Sequence, residues 1–394
     1  MRTVLTAERL WDGAGLLNLP VVLIEDGLIS SISTRAGGDL PNARVFDFPG
    51  ATLAPAFFDV HFHGAKGHDV MEATPTALAA IGGFLAQHGT GSFLATTVTA
   101  PLDATLLSLN GLVKLVAKPA EGHAQLAGIH LEGPFLSHVK RGVQPAEHLL
   151  EPDIATFDRL FEAAEGHIRL MTLAPELPGA IELIAHATAR GVRVSLGHSN
   201  ATAAETRAAI AAGAVSATHT FNAMRPLDSR EPGILGTVLT DDALYAELIC
   251  DGIHVAPEMV KLWWRSKGPD RAILVTDAMS AAGMPDGTYQ LGGFSVDVAN
   301  GRAMARGVLA GSVLTLDRAF ENLIDFTGAP LEQALRLLTV NPALLTGIGR
   351  LAGSVEVGQA ANLVAVDRKA KLVGSFVNGK ATFFAEKAAK NTPI

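Results

Sequence analysis

Six residues in this chain have the types and the surroundings to hold a metal ion. His61 and His63 alternate in Phe58-Asp59-Val60-His61-Phe62-His63-Gly64. On an extended strand that spacing puts both imidazoles on one face. Glu132 stands in Ile129-His130-Leu131-Glu132-Gly133-Pro134 and His198 in Ser195-Leu196-Gly197-His198-Ser199. His219 stands in Ala217-Thr218-His219-Thr220 and Asp277 in Leu274-Val275-Thr276-Asp277-Ala278. Each closes a strand-like run. Imidazole nitrogen with carboxylate oxygen suits Zn2+, Fe2+, Mn2+ or Co2+. Such an ion makes water a nucleophile near neutral pH, and a nearby carboxylate can move its proton. The chemistry indicated is metal-assisted hydrolysis. Taken singly, each residue also has a structural reading. Glu132 could be a carboxylate at a helix N-terminus, Asp277 a cap, and any one histidine a hydrogen-bonded scaffold residue. Six at the same end of five strands are not explained that way. His130 is two residues before Glu132, one layer down, and reads as structural. His88, His123, His167 and His186 fall on helices or loops and read as solvated.

For these residues to meet, strand ends must converge. Apolar runs read as strands at 53–61, 92–98, 126–132, 168–174, 192–198, 214–219, 244–250 and 272–277. Ala- and Leu-rich amphipathic stretches follow most of them, at 75–88, 103–117, 153–164, 178–190, 202–212 and 256–267. Alternation of strand and helix implies a parallel sheet, and eight strands fit a closed (β/α)8 barrel. In a barrel all C-terminal strand ends open on one mouth, where the active site sits. The segment 288–309 reads as an inserted hairpin region, and helices near 315–327 and 331–340 close the barrel. Both chain ends read as β. Glu25-Asp26-Gly27 turns between the runs 21–24 and 28–33, and Asn378-Gly379 follows strands at 362–366 and 372–377. The fold class expected is α/β: a barrel over 53–347, with a small β-sandwich built from 1–52 and 348–394.

The composition narrows the function further. The 31 Lys and Arg against 39 Asp and Glu give a net charge of −8. Only 18% of residues are charged and 48% are apolar, which excludes a disordered chain. The acidic balance argues against nucleic acid as a partner. No apolar run approaches the roughly 18 residues of a membrane span. The first residues meet Glu8, Arg9 and Asp12 too soon for a signal peptide. The single cysteine, Cys250, excludes an internal disulfide and a Cys-cluster metal site, and the reducing cytoplasm is the compartment expected.

With its motifs in this order, the chain resembles the amidohydrolase superfamily, and within it the N-acetylglucosamine-6-phosphate deacetylase family. The resemblance rests on Pro55 to His61, His130 to Pro134, Gly197 to Ala201, Thr218 to Met224, Arg230 to Gly233, Asp251 to His254, Val275 to Ala278 and Leu309 to Ser312. It implies that Glu132, His198 and His219 are the core metal ligands and that His61 and His63 can hold a second ion. One or two divalent ions per subunit follow, zinc first among them. Asp277 matches the catalytic acid/base and a further metal contact. Asn222, the backbone at Ala223, Arg230 and His254 match positions that hold the sugar phosphate, with His254 either crossing the subunit interface or lining the sugar pocket. Leu309, Ala310 and Gly311 match a loop along the sugar, and Val143 and Gln144 a loop near the acetamido group. The resemblance also implies a homodimer. One position departs from it. Gln144 stands in Lys140-Arg141-Gly142-Val143-Gln144-Pro145 where relatives carry a histidine, and it is expected to contact the substrate.

The reaction implied is removal of the acetyl group from an amino-sugar phosphate, releasing acetate. Alternatives are the galactosamine or mannosamine epimer, or another small amide. A carbamylated-lysine enzyme is disfavoured, since the fourth strand region 171–176 carries no Lys. A deaminase is disfavoured by Glu132. A catalytically dead scaffold would be indicated by loss of a ligand or of Asp277, and all are present.

Overall fold

Eight short strands lie side by side in chain order. They are β1 (Phe57–Phe62), β2 (Thr90–Thr96), β3 (Gln125–Glu132), β4 (Ile168–Leu173), β5 (Arg193–Leu196), β6 (Ala214–Ala217), β7 (Tyr245–Ile249) and β8 (Ala272–Val275). The computed structural model describes residues 2–35, 43–116, 121–349, 352–385 and 390–392. All neighbouring pairs are parallel. The strands are buried almost throughout, because helices cover the outside of the sheet and side chains fill the inside. Helices Pro75–Gln87, Leu102–Leu112, Ile154–Ala163, Ala180–Ala189, Ala203–Ala212, Gly233–Thr240, Pro257–Arg271 and Leu316–Thr327 supply that cover. Their starts are written locally. Asp153 accepts the Thr156 N–H, and Thr202 and Glu205 form a reciprocal capping box.

The last strand returns to the first. A parallel bridge joins Phe62 to Ala278, and the Asp277 N–H donates to the His61 carbonyl at 2.9 Å. Buried Asp59 fastens the same seam from below. The Thr276 hydroxyl donates to Asp59 Oδ2 at 2.6 Å, and the His61 and Thr276 N–H groups donate to Oδ1 at 3.2 and 3.4 Å. Burial pushes the Asp59 carboxyl up to about 7, against the pull of these donors. Seam and site are therefore one construction: His61 stands two residues after Asp59, and Asp277 follows Thr276.

Strands from both chain ends form a second, mixed sheet. Its order is Lys380–Phe384, Leu372–Val377, Leu363–Val366, Arg44–Pro55, Arg2–Trp11, Pro20–Glu25 and Leu28–Thr34. Leu16–Asn18 and Lys390–Thr392 bring it to nine strands in one hydrogen-bonded layer. Leu5, Val22, Phe46, Phe48, Leu53, Leu363 and Phe376 make its core. Residues 287–309 fold as a four-stranded antiparallel sheet, in the place of the expected hairpin region.

Several bounds differ from the expectation. The run 53–61 is two strands, because Arg44–Pro55 belongs to the mixed sheet and β1 begins at Phe57. Ala56 breaks the run by donating its N–H to the Asn362 carbonyl. Apolar character is continuous across this switch and does not reveal it. The strands expected to end at 198, 219 and 277 stop at Leu196, Ala217 and Val275. His198, His219 and Asp277 each follow by two residues with φ of 47°, 28° and 50°, outside the extended region. The helix Gly233–Thr240 was not among the expected elements. The run 331–340 is the helix Leu331–Arg336 followed by Val340–Thr346. Residue 117, the expected end of one helix, lies outside the described residues.

The seam can be tested directly. Thr276→Val removes the hydroxyl donor and leaves the Asp59 carboxylate short of a partner. A hydrogen bond to a charged group is worth roughly 1.5–3 kcal/mol, so unfolding stability should fall by about 2 kcal/mol. A urea midpoint unchanged from the parent protein would show that the backbone alone holds the seam.

Candidate metal centre

Three turns with the same design deliver three of the site residues. After β5, β6 and β8 the chain places one small or hydroxyl residue (Gly197, Thr218, Thr276) and then His198, His219 or Asp277 in the left-handed region. For residues with a Cβ that backbone costs roughly 1–3 kcal/mol each and persists only when its surroundings hold it. The surroundings are explicit for His198. Glu176 accepts from the Ser199 hydroxyl at 2.8 Å and from the Asn200 N–H at 2.5 Å, and the His198 carbonyl accepts the Ser137 N–H at 3.0 Å. Gly197 itself is required: a Cβ there would lie 2.7 Å from Thr218 Cβ. Glu132 is the last residue of β3, and Thr97 Oγ1 accepts its N–H at 3.2 Å.

The six side chains converge. His198 Nε2 and His219 Nε2 are 3.1 Å apart, and Glu132 Oε1 lies 3.2 and 3.4 Å from them. His61 Nε2 and His63 Nε2 are 3.2 Å apart, and Asp277 Oδ1 lies 3.5 and 3.1 Å from them. The two sets touch through Glu132. Its Oε1 is 3.4 Å from His61 and its Oε2 is 3.5 Å from His63. Ligands about 2.0–2.1 Å from a tetrahedral ion stand about 3.3–3.4 Å from one another. The measured spacings bracket that value.

Tautomers sharpen the fit. His63 Nδ1 donates to the Thr96 carbonyl at 3.0 Å and His198 Nδ1 to the Lys140 carbonyl at 3.1 Å. A carbonyl only accepts, so each neutral ring bears its proton on Nδ1 and turns a bare Nε2 lone pair inward. His61 Nδ1 faces Glu247 Oε2 at 3.4 Å in the same sense. Glu132 Oε1 is buried and receives no hydrogen bond. Lone pairs and an unpartnered carboxylate oxygen aimed at one another ask for a cation, and His61, Glu132 and His219, or His61, His63 and Asp277, could hold one. The field agrees. Burial opposes charge on His61, yet Glu132, Asp277 and Glu247 outweigh it and lift its imidazole to about 10, so that in the absence of a metal ion the ring takes a proton where a cation would otherwise meet its Nε2. Burial likewise opposes the Asp277 carboxylate, and His61, His63 and His219 still hold it down to about 2. His130 shows the contrast. Its Nδ1 donates to the Val60 carbonyl, its Nε2 accepts from the Thr172 hydroxyl at 2.8 Å, and burial drives its pKa well down. It is a neutral scaffold residue.

A cavity of about 390 Å³ opens above these groups. Glu132, His63, His198, His219 and Asp277 line its floor, and Val143, Gln144, Asn222, Ala223, His254, Leu309 and Gly311 are among the residues of its walls, with Lys140 also at the cavity. Ala310 is buried beside it and donates its N–H to the Ala303 carbonyl. His254 is in this chain's own cavity, its Nδ1 donating to Asp251 Oδ2 at 2.7 Å. Arg230 is not brought in. It is exposed and is not among the residues lining the cavity: it lies in a loop in which Asp228 Oδ1 accepts the N–H groups of Arg230 and Glu231. Glu231, its neighbour in the motif, accepts the N–H groups of Ala203 and Gly233 and secures two helix starts.

Residues 52–391 match the family model described as the amidohydrolase family. The chain belongs to the amidohydrolase family. It is 38% identical to an N-acetylgalactosamine-6-phosphate deacetylase of Escherichia coli O157:H7, over 98% of this chain and 100% of the relative. It is 37% identical to the N-acetylglucosamine-6-phosphate deacetylase of Bacillus subtilis (strain 168), over 93% of each. Among solved structures, it is similar to a mutant N-acetyl-D-glucosamine-6-phosphate deacetylase of Mycobacterium smegmatis in complex with N-acetyl-D-glucosamine-6-phosphate. The TM-score is 0.90 at 35% identity, over 97% of this chain and 99% of that one. Among the described residues no helix is long and apolar enough to cross a membrane.

In this amidohydrolase, sequence reading missed three acidic side chains. Glu247 is fully buried in β7 behind His61, Glu176 braces the His198 turn, and Asp251 orients His254. Glu247 had a signal: it is the one charged residue in the apolar run Tyr245 to Ile249. Since amidohydrolases use a divalent ion, Glu132 supplies the sharpest test here. Glu132→Gln keeps the shape but removes the charge that both donor sets share. Its affinity for Zn2+ or Co2+, by equilibrium dialysis, should fall by more than the roughly 10–100-fold typical of an outer residue. Affinity equal to that of the parent protein would take Glu132 out of the ligand set.

Proposed function

We propose that the chain hydrolyses the acetamido group of N-acetyl-D-glucosamine 6-phosphate, giving D-glucosamine 6-phosphate and acetate. The observation that carries this reading is the cavity whose floor is two converging donor sets joined by Glu132 and whose walls carry Asn222, Ala223 and His254. Its support from likeness is the Bacillus subtilis relative and the Mycobacterium smegmatis complex described above.

Glu132, His198 and His219 would hold one cation, and His61, His63 and Asp277 a second; we infer zinc, with Fe2+, Mn2+ and Co2+ as the other candidates. Bound there, a divalent ion supplies an acidified water and polarises the acetyl carbonyl. The chain's own residues do the rest. Asp277 is the most accessible of the six at 9%, and its Oδ1 faces His61 and His63, leaving Oδ2 for the substrate side. It takes the proton of the attacking water and returns it to the leaving amine, which departs poorly unprotonated. Asn222 and the Ala223 N–H hold the phosphate end with His254, and Leu309 and Gly311 flank the sugar. Such remote contacts lower the barrier by orienting the amide over the floor. We place the reaction in the cytoplasm and in a homodimer, as the resemblance implies. We also divide the chain into 1–52 with 348–394, and 53–347; the core around Phe46 supports a unit built from both chain ends, although its strand Arg44–Pro55 carries that unit on to Pro55.

A second reading has a specific observation behind it, the Escherichia coli relative named for the galactosamine epimer. Acetate release should be compared across the glucosamine, galactosamine and mannosamine 6-phosphates. The glucosamine epimer should give the highest kcat/KM, and a large preference for galactosamine would move the reading to that substrate. Asp277→Asn should lower kcat about 10²–10⁴-fold, the scale of proton transfer by a placed carboxylate. The Glu132, His198 and His219 set should still retain one ion, measured by elemental analysis. Activity within a few-fold of the parent protein would remove Asp277 from the mechanism.

A further inference from the structure

Gln144 lies twelve residues beyond Glu132, where the resemblance led to the expectation of a substrate contact. Its amide is otherwise engaged. The side chain is 3% exposed. The Thr99 N–H donates to Gln144 Oε1 at 2.9 Å, and Gln144 Nε2 donates to Glu132 Oε2 at 2.9 Å. Which end is which follows from chemistry: a backbone N–H only donates, so the carbonyl end must face Thr99 and the NH2 end must face Glu132. The base of the side chain is fixed too. The Gln144 N–H donates to the Arg141 carbonyl at 3.1 Å, and Arg141 Nη1 donates to the Gln144 carbonyl at 3.3 Å.

The consequence falls on Glu132. Its Oε1 is the oxygen that faces His61, His198 and His219. Its Oε2 has His63 at 3.5 Å and the Gln144 amide at 2.9 Å, so the amide is its one short contact. A carboxylate held at one oxygen cannot turn about its last bond without breaking that contact. A neutral donor also fixes the carboxylate without neutralising it, whereas a Lys or Arg in the same place would cancel the charge a cation needs. We propose that Gln144 is a positioning residue for Glu132: it clamps the carboxylate between the Thr99 backbone and the two donor sets, so that Oε1 stays turned toward His198 and His219. This rests on the metal reading given above, and it replaces the substrate contact expected at this position.

The two roles move different measurements. Full-length Gln144→Met, Gln144→Glu and Gln144→His are compared with the parent protein in metal-free form. Gln144→Met keeps the length and loses both bonds. Gln144→Glu keeps the shape but sets an acceptor against Glu132. In one neutral tautomer Gln144→His accepts from Thr99 and donates to Glu132, and so restores the clamp. Equilibrium dialysis with Co2+, and the visible absorption of the cobalt-loaded protein, read the site without turnover. The Met and Glu variants should bind Co2+ about 10–100-fold more weakly, with an altered spectrum, the effect of losing a partner of a metal ligand. The His variant should stay within a few-fold of the parent. At saturating metal, the ratio of kcat/KM between the three epimers should be the same in every variant. Met and Glu variants with parental cobalt affinity and spectrum, but a raised KM or a changed epimer ratio, would overturn the clamp and return Gln144 to substrate contact. A parent protein that binds no Co2+ would overturn the metal reading itself, and the clamp with it.

Discussion

A buried carboxylate must be met by positive charge or by donors, or the group gives up its own charge. Three carboxylates here, Glu132, Asp277 and Glu247, lie within 3.5 Å of one imidazole, that of His61. Among the described residues no lysine or arginine forms an ion pair with any of them. Much of the architecture can be understood as holding that arrangement. The backbone carbonyls of Thr96 and Lys140 take the outer protons of His63 and His198, and so keep these rings from becoming the donors themselves. The pocket is thereby tuned to a cation rather than to a network of ordinary hydrogen bonds.

That tuning demands stiffness. His198, His219 and Asp277 sit in a backbone region that side chains rarely adopt, and relaxing any of them would swing a ligand out of the pocket. The compensating contacts are strong and local: Glu176 on the His198 turn, Asp59 on the Thr276–Asp277 turn, and the Phe62–Ala278 bridge that brings the last strand to the first. Barrel closure and ligand placement share these bonds. A change at the seam should therefore be felt first as a loss of stability and second as a misplaced Asp277.

The sequence exposed a good deal of this for physical reasons. A strand covered on both faces is a short apolar run, so all eight barrel strands could be located, and histidines or acids ending such runs stand out against them. Strand ends were overshot at 198, 219 and 277 because a reversal in φ at a histidine or aspartate leaves no mark in residue type. The shift from the mixed sheet to β1 at Ala56 was hidden by unbroken hydrophobicity. Partners far apart in the chain were invisible altogether. Nothing local ties Gln144 to Thr99, or Glu176 to Ser199. Arg230 was chosen because its motif matched a family pattern, and the structure places it in an exposed loop beside Glu231, which secures two helix starts.

The same electrostatics orients the substrate proposed for the cavity. A phosphate dianion is repelled by a floor holding Glu132 and Asp277, with Glu247 buried behind it, in a chain whose net charge is already −8. In the function proposed it would sit against the donors lining the wall, at Asn222, the Ala223 N–H and His254. Asp251 serves that end in a way the floor carboxylates cannot. It is held below the usual carboxylate range, burial opposing and His254 prevailing, and its charge is spent on the far side of the His254 ring. The Nε2 edge is left to the ligand. In the function proposed, a phosphate confined to the wall would leave the acetamido group as the part of the sugar that reaches the donor sets, with Asp277 there to meet it. In the function proposed, the preference for a phosphorylated sugar and the choice of bond to break would be one consequence of where the negative charge is buried.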